Sequence, residues 1–247
     1  MPDPVLRAAS TLGTVLLAPV LVYQGRRVRA TTPRLPEAPG PRAGEIAGTG
    51  PALHLLVLGE SPAAGVGAED HHEALAGQVA RALAARTGRR VRWRVLARNG
   101  ATAASAREEL LMPADALAAD VAVVALGVND TLRLHSPGRW TRDLHRLIGL
   151  LRERCGAVPV VLASVPPMGV FPALPRPLRS VLGLRAAVLD RAAARLAGEM
   201  DAVRHVPVPL PPGAVDAFFC ADRFHPSPYG YALWGEALGR AAAAALG

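Results

Sequence analysis

The chain has 247 residues, of which 51% are hydrophobic and only 4% are aromatic, and this length suits one α/β domain with an extension. Its formal net charge is +8, and every basic residue is an arginine, scattered without the aromatic interleaving that binders of single-stranded nucleic acid use. The pattern argues against a nucleic-acid partner, and contact with an anionic lipid surface is the better use of the positive charge.

The first segment, residues 1–30, contains a nearly uncharged run from Ala8 to Tyr23 that Pro19 interrupts. Its arginines follow the run, whereas a signal peptide carries positive charge in front. By the positive-inside rule this flank would stay in the cytoplasm. We therefore expect an N-terminal membrane anchor or interfacial helix, with the main domain on the cytoplasmic side. A helix packed on a soluble domain is the alternative, so whether residues 8–23 span, lie on or ignore a membrane stays open.

Residues 31–52 are rich in Pro, Gly and Ala and predict a linker, which leaves residues 53–247 as the main domain. In that domain apolar runs alternate with segments of helical period, a pattern typical of a parallel sheet with helices on both faces. The predicted strands are Leu55–Leu58, Val91–Ala97, Val121–Leu126, Val158–Val165 and Val203–Val208. The predicted helices are Glu73–Arg86, Ala103–Leu111, Arg139–Arg154, Leu184–Glu199 and Tyr229–Ala245.

The stretch Leu53–Ala68 contains the first predicted strand of the domain and the turn that follows it. Its apolar run ends in Gly59-Glu60-Ser61-Pro62, and Ser followed by Pro is typical of a helix start with the hydroxyl at the N-cap. Ser61 would lie at the carboxyl edge of the first strand, where open α/β sheets bind ligands. A serine that only caps a helix is the alternative.

Polar residues also follow other strands at that edge: Gly100, Asn129 and the run Asp222-Arg223-Phe224-His225. Acyl transfer needs a hydroxyl, a base to take its proton, a carboxylate to fix the base and donors to meet the oxyanion. Ser61 is the candidate nucleophile, His225 the base and Asp222 its partner. The backbone N–H groups of Ser61 and Gly100 and the Asn129 amide can form the oxyanion hole. Ordinary turn and helix-start residues are the alternative.

The sequence resembles the SGNH (GDSL-type) hydrolase family. The matching blocks occur in the family's order, at Gly59-Glu60-Ser61, Asn99-Gly100, Gly127-Val128-Asn129-Asp130 and Asp222-Arg223-Phe224-His225-Pro226. The resemblance implies a three-layer, flavodoxin-like α/β fold, here with a central parallel five-stranded sheet. It also implies Ser61, Asp222 and His225 as the catalytic residues and Ser61, Gly100 and Asn129 as the oxyanion donors. One departure is Glu60, since the family usually has Asp beside the nucleophile.

A Pro-rich insertion, residues 166–185, leaves the fourth strand at the same edge and should overhang the crevice. Met168, Phe171 and Leu174 are predicted to bind substrate as an apolar wall, although packing of a long loop on the core is the alternative. No metal site is expected, because the two histidines of His71-His72-Glu73 diverge and no further ligand stands at a suitable spacing.

The sequence therefore predicts a serine esterase or acylhydrolase that forms an acyl-enzyme on Ser61 and uses no cofactor or metal. Lipid-like or short acyl esters are the expected substrates. A carbohydrate O-deacetylase or a thioesterase on the same triad is an alternative, as is a catalytically silent binding module docked on a membrane. The sequence does not predict an oligomeric state.

Overall fold

The computed structural model describes residues 4–115 and 117–247, with side chains from Leu17 onwards. Its first element is helix α1, Pro4–Thr31, which contains Pro19. Residues 1–3 of the predicted N-terminal segment, and the side chains of residues 8–16 of its apolar run, lie outside this description. Among the described residues, no helix combines the length and the apolar character needed to cross a bilayer.

A six-stranded sheet forms the centre of the domain. Its strands are β1 (Ala43–Ile46), β2 (Thr49–Gly59), β3 (Arg89–Ala97), β4 (Val121–Ala125), β5 (Val160–Ala163) and β6 (Val203–Val206). They lie in the order β1-β3-β2-β4-β5-β6, and all neighbours are parallel except β1 and β3. The predicted α/β fold with a parallel sheet is confirmed. The predicted number of five strands is wrong, because β1 adds a sixth at the edge.

Helices cover both faces of the sheet. They are α2 (Leu75–Thr87), α3 (Ala103–Ser105, continued by a π-helical turn over Ala106–Leu111), α4 (Val128–Leu132), α5 (Pro137–Cys155), α6 (Leu178–Glu199), α7 (Val215–Phe218) and α8 (Pro228–Ala245). One group pairs α2 with α8, and the other packs α5 against α3 and α6. Every residue of β4 and β5 is buried, as expected for central parallel strands between two helical layers.

The second half of segment 31–52 is part of the sheet and not a linker. β1 pairs antiparallel with β3, with Glu45 opposite Arg92, and β2 already begins at Thr49. This edge strand is short and alternates exposed with half-buried residues, so it has no apolar run to reveal it. Gly44 lies on the indole of Trp93, where a Cβ would come within 2.4 Å of the ring.

The first half of the same segment packs against the loops at the carboxyl edge of the sheet. The backbone N–H of Asn99 donates to Glu37 Oε1 at 2.6 Å. Ala38 is buried, and its N–H donates to the carbonyl of Ala64 at 3.1 Å. Residues 37 and 38 therefore touch the loops that follow both β2 and β3, and these loops carry the predicted site.

Candidate active site

Ser61 follows β2 in a series of turns. The expected helix start at Ser61-Pro62 is wrong, because residues 60–67 form turns and α2 begins only at Leu75, with Ala74 as its N-cap. Gly65 and Gly67 adopt φ values of +72° and +84°, the left-handed region that favours glycine and interrupts a right-handed helix. Ser61 is buried and caps no helix, so the alternative of a serine that only caps a helix is wrong.

The run after β6 holds a buried carboxylate against an imidazole. Asp222 Oδ2 lies 2.6 Å from Nδ1 of His225, and Oδ1 accepts the backbone N–H groups of Phe224 and His225, each at 2.9 Å. The Cys220 thiol also donates to Oδ1, at 3.0 Å. A carboxylate at Nδ1 fixes the tautomer with the proton on that nitrogen, which leaves Nε2 as the acceptor of the neutral ring.

The hydrogen bonds around Asp222 keep it ionised. Burial by itself would raise the pKa of its carboxyl group. Hydrogen bonds from the side chains of His225 and Cys220, and from the backbone N–H groups of His225 and Phe224, outweigh burial and lower the pKa to about 2. The same thiol contact helps to raise the pKa of Cys220 to about 12, with burial as the larger cause. Asp222 is therefore a fixed negative charge behind the imidazole.

Ser61 and His225 line the same pocket, so the fold brings the predicted nucleophile and base to one place. Apart from these two residues, its walls are apolar. They are formed by Pro62, Val128, Pro166, Pro167, Phe171, Val208, Leu210, Phe218, Phe219, Phe224, Pro226 and Trp234.

The Pro-rich insertion contributes only part of the predicted wall. Phe171 lines the pocket and stacks edge-on against Phe219 and Phe224, with ring centroids 5.0 Å apart in each pair. Met168 and Leu174 are buried in the hydrophobic core and are not among the lining residues. They occupy the inner side of the insertion, so the alternative of core packing describes these two residues.

Two backbone N–H groups predicted for the oxyanion hole, those of Ser61 and Gly100, have no protein partner within the described part of the chain, although Gly100 and Asn129 are not among the residues that line the pocket of Ser61. Gly100 follows β3 with φ +82°, a turn conformation that glycine adopts without strain. Free N–H groups beside a nucleophile can receive the negative charge that develops on a substrate oxygen.

Glu60 holds Asn129, the third donor predicted from the sequence. Its carboxylate is buried, with Oε1 accepting the Val128 N–H at 2.8 Å and Oε2 accepting the Asn129 N–H at 2.9 Å. Oε2 also accepts one N–H of the Asn129 side chain, which leaves the second N–H of that amide for an oxyanion. Burial raises the pKa of Glu60 to about 8, although the Asn129 and Val128 bonds oppose it. In the sequence, Glu60 was noted only because the family usually has Asp at this position. Its position next to Ser61 was the one sign that it could belong to the site.

Asp130 links the segment that follows Gly100 to helix α4, which contains Asn129. The sequence did not predict this role. This fully buried carboxylate accepts the N–H of Ala103, at the start of α3, at 3.2 Å. Its other oxygen lies 2.8 Å from Nδ1 of His135. Because Ala103 follows Gly100 by three residues and Asn129 precedes Asp130, the carboxylate fixes the two loops relative to each other. Burial raises the pKa of Asp130, while His135 opposes that shift.

Comparison with known proteins identifies the family of this chain. A model of the GDSL-like lipase/acylhydrolase family matches residues 57–233. The chain is 33% identical over 254 residues to the GDSL-like esterase Rv1075c of Mycobacterium tuberculosis, with 94% of this chain and 79% of that protein covered.

Solved structures share the fold. The lipase Lip_vut3 from a goat rumen metagenome is 20% identical with a TM-score of 0.62, over 77% of this chain and 97% of that one. The SGNH-hydrolase family esterase AlinE4 is 22% identical with a TM-score of 0.51, over 64% of this chain and 77% of that one. With motifs, site geometry, family match and mycobacterial relative in agreement, this chain belongs to the GDSL-like lipase/acylhydrolase family of ester-hydrolysing enzymes.

Proposed function

We propose that this protein is a serine esterase in which Ser61 carries the acyl group. The observation that supports this most directly is the 2.6 Å contact between Asp222 and His225 at a pocket that Ser61 also lines. In this proposal Asp222 holds the proton of Nδ1, so that Nε2 of His225 accepts the proton of the Ser61 hydroxyl. Three donors, the N–H groups of Ser61 and Gly100 and the Asn129 amide, receive the oxyanion.

The reaction proceeds in two acyl transfers. Ser61 Oγ attacks the ester carbonyl while His225 takes its proton, and the tetrahedral intermediate collapses as His225 returns that proton to the leaving alcohol oxygen. Water then gives a proton to His225 and attacks the acyl-enzyme. Collapse of the second intermediate returns the proton to Ser61 and releases the acid.

The apolar pocket favours an acyl chain over a sugar. Phe171, Phe219 and Phe224 form a connected edge-to-face aromatic group beside the nucleophile, and such a wall gains free energy from burying methylene groups. We assign the acyl half of a short or lipid-like ester to this wall. A carbohydrate O-deacetylase or a thioesterase would use the same triad, and a preference for acetyl esters alone would favour the former.

Helix α1 supports contact with a lipid surface as a further part of the proposal. Leu17, Val20, Val22 and Tyr23 are exposed on it, and Arg26, Arg27 and Arg29 follow. Apolar side chains followed by arginines suit a helix that lies on an anionic bilayer. Flotation with phosphatidylserine vesicles should carry the protein upward, and replacing Val20 and Tyr23 with glutamine should reduce the bound fraction.

The central experiment is labelling of purified protein with a fluorophosphonate, followed by peptide mass spectrometry and by assay on para-nitrophenyl butyrate. We expect the label on Ser61 and loss of hydrolysis in Ser61→Ala, because an unactivated serine does not react appreciably. Ser180→Ala, at an exposed serine on α6, is the matched control and should keep both properties. Equal hydrolysis by wild type and Ser61→Ala would contradict the proposal and favour a silent binding module.

A further inference from the structure

The structure contains a second cavity, of about 540 Å³, in addition to the pocket that holds Ser61 and His225. Its charged lining residues are Arg179, Asp216 and Arg223. The rest of the wall is formed by Gly169, Val170, Pro172, Gly213, Ala214 and Val215. This volume is large enough for a small organic group. None of the site residues predicted from the sequence lines it.

The cavity and the catalytic pocket share a wall. Phe171 lies between residues of the second cavity along the insertion, and Phe224 directly follows Arg223, yet both phenylalanines line the catalytic pocket. Their rings meet edge-on at 5.0 Å, and Phe224 contacts the His225 ring at 5.2 Å between centroids. Arg223 is two residues from His225, so its Cα lies within about 7 Å of that of the base. The two spaces are therefore neighbours, on either side of Phe171 and Phe224.

The cavity carries unneutralised positive charge. Arg179 donates to the carbonyls of Leu174 and Pro172, at 2.5 and 3.2 Å, and these neutral acceptors orient the guanidinium without cancelling its charge. Arg223 lies 3.8 Å from Asp216, and both side chains are mostly exposed, so this ion pair is weak. The lining of the cavity thus contains two guanidinium groups and one carboxylate. A guanidinium group is the side-chain group best suited to bind a planar or tetrahedral anion.

The backbone of Arg223 is held in an uncommon conformation. Its φ is +58°, in the left-handed region that residues with a Cβ rarely adopt. The N–H of Arg223 donates to Cys220 at 2.8 Å, and its carbonyl accepts the Ala173 N–H at 3.1 Å, so hydrogen bonds on both sides fix it. Arg223 therefore keeps a backbone conformation that glycine or asparagine would adopt without strain.

We propose that this cavity binds an anionic group, a carboxylate or a phosphate monoester, on the alcohol half of the ester. The inference rests on the proposed function, because it takes its orientation from the reaction. His225 protonates the leaving oxygen, so the leaving alcohol lies on the His225 side, and Arg223 of the cavity wall is two residues from His225. The acyl half then occupies the aromatic wall, and Arg179 and Arg223 bind the charge.

Two matched pairs of substrates test the inference and separate the two anions. The first pair is para-butyryloxybenzoate and its neutral methyl ester, and the second is butyrylglycerol phosphate and neutral butyrylglycerol. For each pair the measured quantity is the ratio of kcat/KM for the charged ester to kcat/KM for the neutral one. Arg223→Gln and Arg179→Gln should each lower this ratio about tenfold, as expected from losing a hydrogen bond to a charged group.

The matched control is Arg146→Gln, at an exposed arginine of α5, which should leave the ratio at its wild-type value. Arg223→Lys keeps the charge and should keep most of the ratio. If Arg223→Gln folds poorly, Arg223→Asn provides the same measurement, because asparagine tolerates the left-handed backbone. Added sodium chloride should lower the ratio of the wild type more than that of Arg223→Gln.

The outcomes are distinct. A fall in the ratio for one pair or for both supports the cavity and identifies the anion that it takes. A ratio that is the same in wild type and Arg223→Gln for both pairs overturns the cavity inference and leaves the esterase standing. If the wild type hydrolyses none of the four esters and Ser61 is not labelled, the proposed function itself is overturned.

Discussion

Glu60 Oε2 accepts both the backbone N–H and the side-chain amide of Asn129, so the residue before the proposed nucleophile orients the amide that we propose for the oxyanion hole. Glu60 directly follows β2, and Asn129 lies in α4, which follows β4; β2 and β4 are neighbours in the sheet. Because the amide is held before substrate arrives, little reorganisation is needed when charge develops on the carbonyl oxygen.

Replacing Glu60 with glutamine should lower kcat about tenfold with little change in KM, since in the proposed mechanism the remaining N–H of the Asn129 amide meets the substrate only as the oxyanion develops. In Glu60→Gln an amide NH₂ would replace one of the two accepting oxygens. Burial raises the pKa of Glu60 to about 8, and an ionised carboxylate accepts the Asn129 bonds more strongly. The pH profile of kcat should therefore lose a rising component near pH 8.

Glu60→Asp is the matched variant for that experiment, because it keeps a carboxylate and should recover most of kcat. The stability of the wild type adds a second measurement. A pKa raised from 4.5 to about 8 stabilises the fold below pH 4.5 and loses this contribution as pH rises through 8. If Glu60→Gln has the same pH profile of kcat as the wild type, Glu60 does not orient Asn129 for catalysis.

Asn129→Ala should lower kcat by about 10²- to 10³-fold, the effect of removing one oxyanion donor. The fold should be retained, because Glu60 still accepts the N–H groups of residues 128 and 129. Steady-state kinetics on para-nitrophenyl butyrate give the effect, and circular dichroism checks the fold. A loss that appears in KM alone would assign Asn129 to ground-state binding.

Asp222 should make stability depend on acid pH. Its pKa is lowered from 3.8 to about 2, so its contribution is present above pH 4 and is lost as pH falls through 2. The free energy of unfolding, measured with urea, should fall by about 2 kcal/mol more in wild type than in Asp222→Asn over this window. Asp201→Asn, at an exposed carboxylate, is the control and should follow the wild type.

Phe171→Ala should change the preference for acyl chain length. This side chain is 4% exposed and lines the pocket, so its removal enlarges the proposed acyl wall. We expect kcat/KM for butyrate esters to fall about tenfold while longer chains lose less, because each buried methylene is worth about 0.8 kcal/mol. Met168→Leu, in the core beside it, is the volume-matched control. An equal loss for all chain lengths would place the acyl group elsewhere.

The sequence predicted the features that depend on apolar periodicity and on motif order. The central strands are continuous apolar runs, such as Val121–Ala125, because both of their faces are buried. Parallel strands place their carboxyl ends at one edge, so Ser61 and the Asp222–His225 run could be expected to meet there.

What the sequence did not predict depends on contacts between distant residues. Ser61-Pro62 has the composition of a helix start, but the left-handed glycines Gly65 and Gly67 turn the chain instead. The bonds that give Glu60 and Asp130 their roles join separate loops, and no local pattern encodes them. Met168 differs from Phe171 only in the side of the insertion it faces, which the packing decides.

The antiparallel strand β1 has a practical consequence for any shortened form of this enzyme. It occupies the outer edge of β3, whose N–H and C=O groups would otherwise stand open to a neighbouring molecule. A protein trimmed to begin at Leu53, where the apolar sequence starts, would expose that edge and invite self-association into oligomers or aggregates. A cut before Glu37 keeps the edge strand and the bond to Asn99, and should give a well-behaved monodisperse sample.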